Sequence, residues 1–194
     1  MFQVDPKAVF PIIVVSLAWM CLCRCSPTNS APAQSIQSVA FADDEIPGWS
    51  VDPSDTSGFG RYRLIQGADT QAMFNLIDGG ATEYLTRAPG FSSFLREEMV
   101  DSARFLTLYI VDYSSSANAA TMFDFVKSTW ADTEALSGFL PSVAMSDTSR
   151  DANIYACAHF GRFFLEFRFE GYAERAGSIR DATAFLAAAE KKIK

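Results

Sequence analysis

The sequence predicts an α+β domain, an antiparallel sheet of about five strands with helices packed on it. Three observations lead there. Residues 104–113 (RFLTLYIVDY) are apolar on both parities, as a central strand covered on two faces requires. Residues 152–170 alternate in period two around a glycine, which makes a hairpin. Apolar residues recur at helical spacing in three other stretches. The 17 Phe and 6 Tyr supply the large flat surfaces that sheets pack with.

The elements follow in order. Ile46-Pro47-Gly48-Trp49 opens the domain with a turn and a large apolar face. Asp69 or Thr70 caps a first helix, in which Ala72, Met73, Leu76 and Ile77, then Ala81, Tyr84 and Leu85, form one stripe. Asp78-Gly79-Gly80 interrupts it; each mid-helix glycine costs about 1 kcal/mol relative to alanine, so a break or kink is expected. Ala88-Pro89-Gly90 ends the segment. Residues 94–101 mix apolar and charged side chains, as on an outer strand. Ser114-Ser115-Ser116 caps a helix whose buried stripe is Ala119, Met122, Phe123, Val126 and Trp130. Residues 142–146 suit a short strand.

A two-residue turn at Phe160-Gly161 would set Ala158 against Phe163, Ala156 against Leu165, Ile154 against Phe167 and Ala152 against Phe169. The other face of the hairpin, with Tyr155, Cys157, His159, Arg162, Phe164, Glu166 and Arg168, is mostly polar. Ser178 and Asp181 resemble a capping box for the last helix. Its stripe is Ile179, Ala182, Phe185, Leu186, Ala189 and Ile193, and its terminal lysines suit the helix dipole.

Residues 1–25 read as a signal peptide. The apolar run 8–23 is short of the ~20 residues that a spanning helix needs. Residues 22–25 resemble a lipobox, with Cys25 as the acylated residue. Arg24 stands where a small residue is expected, Asp5 dilutes the positive start, and Cys21 and Cys23 are alternative acceptors. Cleavage without lipidation and retention as an anchor both stay open. Residues 26–45, rich in Ser, Pro, Ala and Gln, read as a disordered tether, leaving 46–194 as a single domain.

Composition narrows the chemistry. A net charge of −7, with basic residues clustered only at 191–194, argues against nucleic acid. Cys157 is the one cysteine of the body, so no internal disulfide forms there. A second histidine that would complete a zinc site with His159 is absent. Cys157 and His159, at i and i+2 on a strand, lie roughly 6.5–7 Å apart at the backbone, too far for a hydrogen-bonded catalytic pair. Neither a G-x-S-x-G elbow nor a phosphate-binding loop occurs. No cofactor, metal or catalytic set is therefore expected. Carboxylate chemistry through Asp78, Glu83 or Asp112 is the enzymatic alternative.

The block Phe74-Asn75-Leu76-Ile77-Asp78-Gly79-Gly80-Ala81-Thr82-Glu83-Tyr84 resembles a domain-of-unknown-function family of bacterial exported proteins. Its signature is an aromatic residue, isoleucine, asparagine or aspartate, glycine, a small residue, alanine, glutamate and tyrosine. Asp78 stands where asparagine is common. The resemblance spans 46–194 and implies the same fold but no activity. It singles out Asp78, Gly79, Gly80, Glu83 and Tyr84. Together with Trp49 as a stacking wall, these are the candidate ligand-binding residues. The expectation is an exported domain of the periplasm or outer envelope, held to the membrane by a lipid anchor. It is expected to bind an envelope protein or a small molecule.

Overall fold

The two-parity strand sits at the centre of the sheet. In a computed structural model, which describes residues 34–53, 62–77, 80–149 and 151–193, β4 (Arg104–Asp112) lies between β3 (Ser93–Asp101) and β8 (Phe163–Glu170). Leu106, Leu108 and Ile110 point into one core, Tyr109 and Val111 into the other. The remaining strands are β1 (Ser50–Val51), β2 (Arg63–Gln66), β5 (Thr133–Ala135), β6 (Ala144–Asp147) and β7 (Ile154–Phe160). All pairings are antiparallel, in the order β1-β3-β4-β8-β7-β6-β5, with β2 also on β3. The α+β antiparallel class stands, but the sheet has eight strands where about five were expected. The additional strands are two to four residues long, too short to show alternation. Nor is β3 an outer strand, since β1 and β2 pair along its far side.

The helices are α1 (Thr70–Ile77), α2 (Ala81–Thr86), α3 (Ser116–Thr129) and α4 (Arg175–Ile193), preceded by a 3₁₀ turn at Ile36–Val39. Helix α1 ends at Ile77 and α2 starts at Ala81, as separate helices; Asp78 and Gly79, where a break was expected, lie outside the described residues, as do the leader and Cys25. Ser115 caps α3 by accepting from the Asn118 amide. Helix α4 packs on one face of β7 and β8, and α3 on the other.

Three expectations need correction. The hairpin turn is Gly161-Arg162, with Gly161 at φ 52°, a value glycine takes without steric cost. Ala158 therefore faces Leu165, Ala156 faces Phe167 and Ile154 faces Phe169. A shift of two residues keeps every side chain on its expected face and preserves small opposite large. Helix α4 starts at Arg175, and Ser178 and Asp181 are buried tertiary anchors instead of caps. The Ser178 hydroxyl donates to the Ala152 carbonyl at 2.7 Å. Asp181 accepts from Arg104 at 2.6 Å and from the Tyr172 hydroxyl at 2.8 Å. Finally, residues 34–45, expected as part of the tether, pack on the body. Ile36, Val39 and Phe41 are buried, Phe41 lies edge-on to Phe185 at 5.0 Å, and its amide donates to Glu97. Lys192 clamps the same segment, donating to Ala40 O at 2.5 Å and pairing with Glu45 at 2.7 Å. Three apolar anchors in a polar stretch are enough to dock it.

Gly171 closes β8 at φ 82°, and a Cβ there would overlap the Ala103 carbonyl oxygen. Gly171→Ala is expected to lower unfolding free energy by about 2 kcal/mol, read as a reduced urea midpoint at unchanged slope.

Candidate functional site

The α2 segment singled out in the sequence forms one wall of a cleft. Tyr84 carries α2 down onto the sheet. Its ring packs edge-on against Phe94 at 5.5 Å and Tyr109 at 6.0 Å. The Tyr113 hydroxyl donates to the Tyr84 carbonyl at 2.8 Å, fastening the helix end to the end of β4. The Tyr84 hydroxyl donates to Glu166 Oε2 at 2.5 Å. Glu166 is a carboxylate in mid-strand, 5 % exposed, and it is tolerated there because both oxygens are engaged. Its Oε1 accepts from Arg168 Nε and Nη2, each at 2.9 Å.

Strand register explains the rest. Tyr109 pairs with Glu166 across β4–β8, and Tyr155 pairs with Arg168 across β7–β8. Both phenol rings therefore flank the guanidinium, at 4.8 Å and 5.2 Å. The floor of the cleft is a row of Tyr84, Glu166, Arg168 and Tyr155, ordered by packing on both sides.

Burial first, and the Glu166 charge and hydrogen bond second, hold the Tyr84 phenol well above its ordinary range. Burial also raises Tyr109. Burial would lower Arg168, but Glu166 and the neighbouring phenols outweigh it and raise the guanidinium. The network thus keeps its hydrogen-bonding pattern across neutral pH. The folded state holds the Tyr84 proton more tightly than the unfolded chain, whose phenols titrate near about 10. Stability from this group is complete below that pH and is lost as pH rises beyond it. Urea midpoints are expected to fall above about pH 10, and less steeply in Tyr84→Phe.

Above this floor lies an open cleft of about 590 Å³. Gly80, Glu83 and Tyr84 line it from α2 and its N-cap, Phe125, Val126 and Trp130 from the end of α3, and Asp147 and Ser149 from the end of β6 and the turn after it. Glu83 Oε2 is out of contact with solvent and has no hydrogen-bond partner among the described residues. Of the sequence candidates, Gly80, Glu83 and Tyr84 come together here. Asp78 and Gly79 are outside the described residues. Trp49 does not join them. It is 1 % exposed in the core beneath α4, edge-on to Phe185 at 5.4 Å, on the opposite face of the sheet. Asp112 is a turn anchor: it pairs with Arg162 at 3.0 Å and accepts from the Ser114 amide. The His159 ring packs on Phe123, with Nε2 2.8 Å from Ser142 O, while Cys157 is buried and its thiol is raised by burial.

Glu166, Arg168, Tyr155, Phe125 and Trp130 were not among the candidates. The available signal was a Glu and an Arg at i, i+2 inside an aromatic strand, each opposite a tyrosine in the correct register.

Neither a protein-family model nor a curated protein matches the chain. Among solved structures it is similar to the extracellular domain of PknH from Mycobacterium tuberculosis, with a TM-score of 0.45 and 9 % identity, covering 73 % of this chain and 92 % of that one. A likeness of that degree carries no argument about what this chain does. No helix among the described residues is long and apolar enough to cross a membrane.

Proposed function

We propose that this chain is an exported, membrane-tethered binding domain that holds a small molecule in the cleft beside α2, without catalysing its conversion. One observation carries the reading. Gly80, Glu83 and Tyr84 form a wall over a floor of ordered polar and aromatic groups, in a cleft of about 590 Å³. Pockets of about 300–1,000 Å³ with a few fixed polar groups suit ligands of metabolite size.

The non-catalytic part rests on how those groups are used. Glu166 and Arg168 neutralise each other and Tyr84 is spent on Glu166, so the floor orients and does not react. Export and tethering rest on the apolar run 8–23, on Cys25 as an acyl acceptor, and on the polar stretch between Cys25 and the packed body.

The test is thermal denaturation of the full chain in mild non-ionic detergent, with and without the low-molecular-mass fraction of its own cells. A ligand that binds only the folded state raises Tm. The rise is expected in the wild type and not in Ala131→Trp, which puts an indole at the exposed rim of the cleft. No rise in the wild type, or an equal rise in both, contradicts the reading.

A further inference from the structure

The charge and the walls of the cleft specify its ligand further, granted that the cleft is a ligand site. We infer that it takes an organic cation, a protonated amine whose N–H groups face Glu83 and whose alkyl or aryl body lies against Phe125, Trp130 and Tyr155.

Charge balance is the first reason. Glu83, Asp147 and Glu166 line the cleft, and Arg168 is the one cation among its described lining residues. Arg168 is already bound to Glu166 and held between two tyrosine rings, so it offers an anionic ligand little. The chain as a whole carries −7, and a concave acidic site concentrates cations from solution.

The second reason is an acceptor without a donor. Glu83 stands in the cleft wall, and its Oε2, withdrawn from solvent, has no hydrogen-bond partner among the described residues. A carboxylate oxygen withdrawn from water and left unpaired is costly. A ligand ammonium supplies the missing N–H and the compensating charge. A carboxylate or phosphate ligand would be repelled, and an apolar one would leave the oxygen unpaired.

The third reason is the rings. Phe125, Trp130 and Tyr155 line the same cleft, and aromatic faces attract cations. The protein already uses this pairing beside the cleft, where Arg87 lies over Phe125 at 4.6 Å.

The probes are n-butylamine, n-butanol and butyrate, which share a chain length and differ in charge. Each is titrated at neutral pH into the full chain in non-ionic detergent, and the indole N–H signals are followed by NMR. Of the chain's three indoles, that of Trp130 lines the cleft and reports binding, and that of Trp49, buried on the other face, serves as control. Butylammonium is expected to move the Trp130 signal saturably and leave Trp49 still. Butanol and butyrate should bind roughly tenfold more weakly or not at all. Glu83→Gln, which keeps the shape of the side chain and removes its charge, should fold and weaken butylammonium roughly tenfold. Equal responses to all three probes, or an unchanged response in Glu83→Gln, would overturn the cation assignment and leave the cleft itself standing. A Trp130 signal unmoved by every probe would overturn it too. The cleft reading would then rest on the extract measurement, which does not depend on ligand charge.

Discussion

Arg168→Met is expected to destabilise the domain by about 3 kcal/mol, among the largest effects of any single surface-reaching substitution. Removing one partner of a buried ion pair typically costs about 3–5 kcal/mol, because the remaining charge is stranded. The lower end applies because the Arg168 side chain is 35 % exposed while that of Glu166 is 7 % exposed. In the variant, Glu166 keeps only the Tyr84 hydroxyl, and the rings of Tyr109 and Tyr155 lose the cation between them. The triple variant Arg168→Met, Glu166→Leu, Tyr84→Phe should recover most of that loss, since apolar groups of similar volume need no partners. Urea midpoints of the two variants measure both numbers. A loss below about 1 kcal/mol in Arg168→Met would mean that the pair is solvated and the floor of the cleft is not ordered as described. Recovery of stability in the triple variant without recovery of ligand binding would show that the network serves the site and not the fold.

Trp49→Ala is expected to cost about 4 kcal/mol, the range for truncating a fully buried aromatic residue. Trp49 lies edge-on to Phe169 at 6.4 Å and to Phe185 at 5.4 Å, and Arg104 sits over its ring at 5.5 Å. Its loss empties the junction between the N-terminal segment, α4 and the sheet. Trp49→Phe keeps a ring there and should cost about 1 kcal/mol, leaving a folded protein in which binding can be measured. Ligand affinity in Trp49→Phe should equal that of the wild type, because a sheet separates this residue from the cleft. A selective loss of affinity would return Trp49 to the role of a stacking wall.

These two residues show what local pattern reveals and what it conceals. The central strand, the α3 stripe and the faces of the β7–β8 hairpin were legible because each repeats its period over enough residues. Strands β1, β2 and β5 were not, because two to four residues carry no period. The start of the body was obscured by average composition: Ile36, Val39 and Phe41 are buried, yet they are diluted by serine, alanine and glutamine. At the site, the α2 wall was visible because Gly79-Gly80 breaks a helix beside a glutamate and a tyrosine. The floor was not. Glu166 and Arg168 look like the solvent face of a hairpin until α3, from 40 residues earlier, crosses β7 and β8 and covers that face. That burial is non-local, and no spacing along the strand encodes it.

The cleft as a ligand site is tested most directly by native mass spectrometry of the full chain, purified gently from its own cells in mild detergent beside Ala131→Trp. The expected result is a small stoichiometric mass excess on the wild type that is missing from the variant. A bare wild-type mass, or an equal excess on both proteins, would contradict it.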